Sequence, residues 1–122
     1  MRPEVFVEER IETGLLFSFY GPLLTERQRW LLSLWCEEDL SLSEIASREG
    51  ISRQGAHDTV RSAQAHLRRL EDQLGLVARY QKLTGGLRAC LEEIRAIPGE
   101  PARRAEESLR QLLAWEEDDD GL

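Results

Sequence analysis

With 122 residues, 41% of them hydrophobic and 32% charged, the chain has the composition of a folded protein, and 4 prolines and 9 glycines are too few for a mostly disordered one. The longest apolar runs are pieces such as TGLLF and GPLL, far short of the roughly 18 residues that cross a bilayer, and there is no basic, apolar and small secretion pattern, so a cytoplasmic protein without a membrane partner is expected. The net charge of −7 opposes indiscriminate phosphate binding by the whole molecule, but fifteen of the sixteen basic residues are arginine and five acids stand together at 116–120, so charge is judged face by face.

Ile11, Leu15, Phe19 and Leu23 recur every four residues and predict a first amphipathic helix. Gly21-Pro22 ends it, because the residue before proline is pushed out of the α region. TERQ then opens a second helix with Thr25 as cap and Gln28 reaching back to it. Leu31, Leu32, Leu34 and Trp35 bury that helix on more than one side, and it should run to about Glu38. SLSE repeats the capping box at Ser41 and Glu44, with Leu40 and Ile45 placed as a hydrophobic staple. Gly50 closes this short helix and Ser52 caps the next.

The fourth helix is long. Ala56, Val60, Ala63, Leu67, Leu70 and Leu74 step four and three, which makes one stripe, and Gly75 stops it. Beyond, Tyr80, Leu83, Leu87, Cys90, Ile94 and Ile97 alternate three and four like the seam of a coiled coil. That seam either packs on the preceding helices or joins two copies, so a homodimer stays open. IPGEP interrupts the chain before a last helix from about Ala102 to Trp115, and the acidic tail, 116–122, is expected to be disordered. No strand alternation, repeat or linker is visible, so the expectation is a single all-α domain over 1–115.

Within it, SLSEIASREGISRQGAHDTVR has the residues that two helices joined by a tight turn require. Ala46 is small where the second helix crosses, Gly50 tolerates left-handed backbone, and Ile51 tucks under the turn. Ala56 and Val60 point inward. These spacings predict a helix-turn-helix over residues 41–72, inside a bundle with additional C-terminal helices.

At 100° per residue, the face opposite the apolar stripe carries Gln54, Asp58, Arg61, Ala65 and Arg68, flanked by Arg53, His57, Gln64 and Arg69. From Arg53 to Leu70 four arginines face one aspartate, a local charge of +3 on an acidic chain. In recognition helices the first turns meet base edges and later residues meet phosphates. Arg53, Gln54, His57, Arg61, Arg68 and Arg69 are therefore the candidate nucleic-acid-binding residues, and the competing reading is a solvated or protein-binding face interrupted by Asp58. Cys36 and Cys90 stand far apart without CxxC spacing, and His57 and His66 lack partners at metal-ligand spacing, so no metal and no cofactor is expected. With no phosphate loop, catalytic triad order or carboxylate pair, an enzyme is not expected.

The stretch from Phe17 to Leu76, with its LLT-x-RQR opening, DLSLSEIA helix, ISRQ and LEDQLGL exit, resembles the bacterial YlxM family of helix-turn-helix proteins over about half the chain. The core from Thr25 to about Leu70 is also similar to region 4 of sigma factors, which grips promoter DNA. The YlxM resemblance implies a regulator of the signal recognition particle pathway, with the GTPase Ffh, its receptor FtsY or the small cytoplasmic RNA as partners. The sigma-like resemblance implies instead a DNA-binding transcription regulator. Where the family usually places Ala-Val-Tyr after SRQ, this chain has Gly55-Ala56-His57.

Overall fold

In the computed structural model, which describes residues 3–118 and the side chains of 8–114, every regular element is helical. Six α-helices follow one another: α1 (Pro3–Tyr20), α2 (Glu26–Cys36), α3 (Leu42–Glu49), α4 (Arg53–Leu74), α5 (Leu76–Arg95) and α6 (Glu100–Asp118), with a 3-10 turn at Gly21–Leu23. The fold is all-α, as the sequence indicates. The reading from sequence was of one domain over 1–115; by packing, the chain divides into two compact units, Met1–Val77 and Ala78–Leu122.

Local signals set the ends of the helices in the first unit. The Thr25 hydroxyl accepts from Gln28 N at 3.2 Å, and the Gln28 side chain accepts from Thr25 N at 3.3 Å. Ser41 and Glu44 make the same reciprocal pair at 3.1 Å each way. The backbone and hydroxyl hydrogen bonds from Ser41 hold the Glu44 carboxyl below its ordinary value. Such caps satisfy amides that the first helical turn leaves without partners. α2 ends at Cys36, two residues earlier than expected, and one of its last carbonyls, that of Trp35, is met from outside. Arg10 of α1 donates to the carbonyls of Trp35 and, at 3.2 Å, Leu40, and its guanidinium lies 4.6 Å from the centre of the Trp35 ring. A cation here also suits the negative end of the helix dipole.

The core gathers Leu31, Leu32, Leu34 and Trp35 from α2, Ile45 and Ala46 from α3, and Ala56, Val60, Ala63 and Leu67 from α4. Fully burying a side chain such as Leu32 contributes roughly 1.5–3 kcal/mol, and the alanines let the helices approach closely. α1 differs from expectation. Ile11 and Leu23, two members of the predicted stripe, are exposed, while Thr13, Leu16 and Tyr20 are buried. The inward face of α1 is partly polar by residue type, and its polar atoms are matched. Gln64 donates to the Thr13 hydroxyl at 3.1 Å; the Tyr20 hydroxyl donates to Glu71 Oε1 at 2.6 Å and accepts from Leu76 N at 3.1 Å. Glu71 Oε1 also accepts from Val77 N at 3.0 Å, so tyrosine and glutamate together cap the start of α5 where Gly75 (φ 65°) has ended α4.

In the second unit the buried face of α5 is offset from the predicted seam. Thr84 and Leu91 are buried, whereas Leu83, Cys90 and Ile97 are exposed. Thr84 reads as polar, yet its hydroxyl returns a hydrogen bond to the Tyr80 carbonyl at 3.0 Å and costs little to bury. On α6, buried Glu106 draws in Arg103 and Arg110 at 2.7 Å each and Arg95 of α5 at 3.6 Å. α6 continues to Asp118, so 116–118 of the expected disordered tail are helical; 119–122 lie outside the described residues.

Replacing Tyr20 by Phe should cost roughly 1–3 kcal/mol, because the Leu76 N–H loses its acceptor and Glu71 Oε1 loses one of its two donors at a part-buried site. Burial first, and then the Glu71 hydrogen bond, raise the Tyr20 phenol above its ordinary 10.0. The folded state disfavours the phenolate, so this residue's contribution is fully present below pH 10 and fades as pH rises through the folded value. Urea melts should show an alkaline loss in the wild type that is smaller in Tyr20→Phe; equal losses would contradict the contact.

Candidate nucleic-acid interface

The helix-turn-helix is present where the motif places it. Gly50 has φ 67°, in the left-handed region, and the amides of Gly50 and Ile51 both return to the Ala46 carbonyl. This closes α3 and reverses the chain within two residues. Ile51 packs half-buried against the core. Ser52 then caps α4, its hydroxyl accepting from Gly55 N at 2.9 Å. A Cβ on Gly55 would come within 3.1 Å of that hydroxyl oxygen, so glycine suits this cap at a modest cost in helix propensity.

The six candidate residues all lie on α4 but differ in their engagement. Arg53, Arg68 and Arg69 are exposed and, among the described residues, enter no ion pair. Gln54 donates to Asp58 Oδ1 at 2.8 Å, and His57 Nδ1 lies 3.4 Å from the same oxygen, so Asp58 ties down both. Arg61 is half-exposed and pairs with Glu9 of α1 at 2.7 Å. The same Glu9 oxygen accepts from Gln64 at 3.1 Å. Gln64, read from sequence as a flank residue, is 3% exposed and joins α1 to α4.

The residues that the sequence reading missed are Glu9, Arg10 and Thr13. They belong to α1, and no spacing inside α4 reveals them. A cleft of about 290 Å³ opens between α1, the start of α3 and the first turns of α4. Glu9, Arg10, Ser41, Arg53, His57 and Arg61 line it above Trp35 and Val60. Three arginines face one glutamate there, so the cleft is net positive although the chain is acidic. Phosphate arriving from that side would have to compete with Glu9 for Arg61, while Arg53, Arg68 and Arg69 carry no such competitor among the described residues.

Fold and motif together define a helix-turn-helix protein. The match to known proteins is more particular: the model of the UPF0122 family, described as "Putative helix-turn-helix protein, YlxM / p13 like", covers residues 7–96, and the chain belongs to this family. It is 45% identical over 97 residues to the UPF0122 protein of Symbiobacterium thermophilum, spanning 80% of this chain and 91% of that one. It is 42% identical over 86 residues to the UPF0122 protein of Acetivibrio thermocellus, spanning 70% and 74% of the two chains. With that of Desulforamulus reducens, identity is 37% over 105 residues, 86% and 87% of the respective chains. All of α6 lies beyond the matched family span.

The bend is testable through Gly50. A Cβ there meets nothing within 4 Å, so the cost of Gly50→Val is chiefly that of holding a β-branched residue at positive φ, roughly 1–2 kcal/mol. Gly50→Asn should cost less, since asparagine tolerates this region. Equal stability of Val and Gly in urea melts would mean that the turn is not left-handed.

Proposed function

We propose that the protein is a non-enzymatic helix-turn-helix regulator of the signal recognition particle pathway, and that it lays the outer face of α4 on the phosphates of the particle's small RNA. The observation that carries this reading is the set of exposed arginines, Arg53, Arg68 and Arg69, that have no ion-pair partner among the described residues. They are spread along a rigid helix, which suits backbone contacts better than the reading of bases. Arg61, Gln54 and His57 act as a reserve that becomes available only when Glu9 or Asp58 lets go. Family membership supports the helix-turn-helix character, and both the regulatory role and the link to the particle rest on the YlxM resemblance.

A DNA-binding transcription regulator is the second reading. It is favoured by the exposure of Arg53 and Gln54 in the first turn of α4, where a recognition helix meets base edges. The Gln54 amide, already donating to Asp58, weakens it.

Titrating the small RNA at several salt concentrations separates these outcomes. The RNA reading predicts binding at low salt that weakens linearly on a log–log plot. Replacing Arg68 and Arg69 together by Ala should reduce that slope by about 2. Absence of any binding at low salt would sink the RNA reading, and recovery of a preferred sequence from random DNA would favour the second.

A further inference from the structure

On the side of α2 turned away from α4 lies a feature that the recognition helix does not use. Gln28 marks the inner side of α2, donating to Ser62 at 3.1 Å and lying 3.3 Å from His66, both on α4. At 100° per residue, Glu26, Trp30, Ser33 and Glu37 fall on the opposite side, with Arg29 at its flank. With Phe17 of α1 they line a shallow depression of about 450 Å³. Trp30 is 48% exposed, in contrast to Trp35, which is 5% exposed. Its indole N–H donates to Glu49 Oε1 of α3 at 2.7 Å, so the ring is held in one orientation with much of its surface open.

An aromatic ring fixed by a hydrogen bond loses little entropy on binding and offers a large apolar area, the qualities of an interface anchor. The charges around it are one-sided. Glu26, Glu37 and Glu49 stand near the ring and Arg29 is the single cation among these residues. The whole chain adds a field of the same sign, with net charge −7. Anionic lipid headgroups and nucleic acid phosphates would be repelled here. A cationic amphipathic helix would be attracted, its apolar side meeting Trp30 and Phe17 and its lysines or arginines meeting the carboxylates.

We infer that the Phe17–Trp30 depression, rimmed by Glu26, Glu37 and Glu49, is a docking surface for a basic amphipathic helix of a protein partner. This inference uses none of the α4 arginines, so it stands or falls apart from the RNA reading. The surface lies on the other side of α2 from α4, and one molecule can engage both kinds of partner at once.

The test uses the full chain and a Leu/Lys amphipathic helical peptide, with a Leu/Glu peptide of the same pattern as control. The Leu/Lys peptide should shift the Trp30 indole N–H resonance saturably, and the control should not. Trp30→Ala, with unchanged circular dichroism, should weaken binding about tenfold or more. Glu26→Gln combined with Glu37→Gln, which leaves the ring and its Glu49 bond in place, should weaken binding and flatten its salt dependence. An unmoved Trp30 resonance, or equal affinity of the wild type and Trp30→Ala, would overturn the inference. So would a Trp30 resonance that moves with protein concentration alone, which would make a second copy of the chain the occupant.

Discussion

The polar contacts between α1 and α4 are the constraint from which the rest of the first unit follows. Glu9 meets Arg61, Thr13 meets Gln64 and Tyr20 meets Glu71, at sequence separations of 52, 51 and 51. A nearly constant offset, with both numbers rising together, means that the two helices run parallel and side by side. Apolar burial alone would let them slide, since dispersion has no direction. A hydroxyl and an amide removed from water need the directed partners they have there, and a slip of a single residue would strand them at a cost of about 1–3 kcal/mol apiece.

That alignment decides how the positive helix can be used. It sets Glu9 against the middle of α4 and pairs it with Arg61, and it leaves the ends, Arg53 on one side and Arg68 with Arg69 on the other, without a competing carboxylate among the described residues. It also places Arg10 over Trp35, where it closes the carboxyl end of α2 and steadies the helix that carries Trp30. An acidic protein thus keeps a basic strip on one helix and an acidic, aromatic depression behind its neighbour. Charge is segregated by helix face, which the net value of −7 conceals.

Much of the architecture was legible in the residues, because it is written in local rules. Thr25, Ser41 and Ser52 announce helix starts, Gly50 and Gly75 announce left-handed ends, and Ala56, Val60, Ala63 and Leu67 trace the inward stripe. Long-range polar matching is what sequence periodicity cannot express. Thr13, Gln64 and Thr84 look like surface residues by type and are buried because a partner satisfies each; Ile11, Leu23 and Leu83 look like core and are exposed. Of the candidate site, the choice of α4 and its exposed arginines could be read from a helical wheel. The pairing of Arg61 with Glu9 could not, because it joins residues 52 positions apart on separate helices.

A double-mutant cycle on Thr13 and Gln64 tests this alignment most directly. Both side chains are buried, their hydrogen bond of 3.1 Å links α1 to α4, and the Gln64 contact with Glu9 is lost in both Gln64→Leu and the double variant and so cancels in the cycle. Thr13→Val, Gln64→Leu and the double variant, compared by urea unfolding, should give a coupling on the order of 1 kcal/mol. Strict additivity of the two single effects would mean that α1 does not run in register with α4, and the division of the arginines into paired and open would lose its basis.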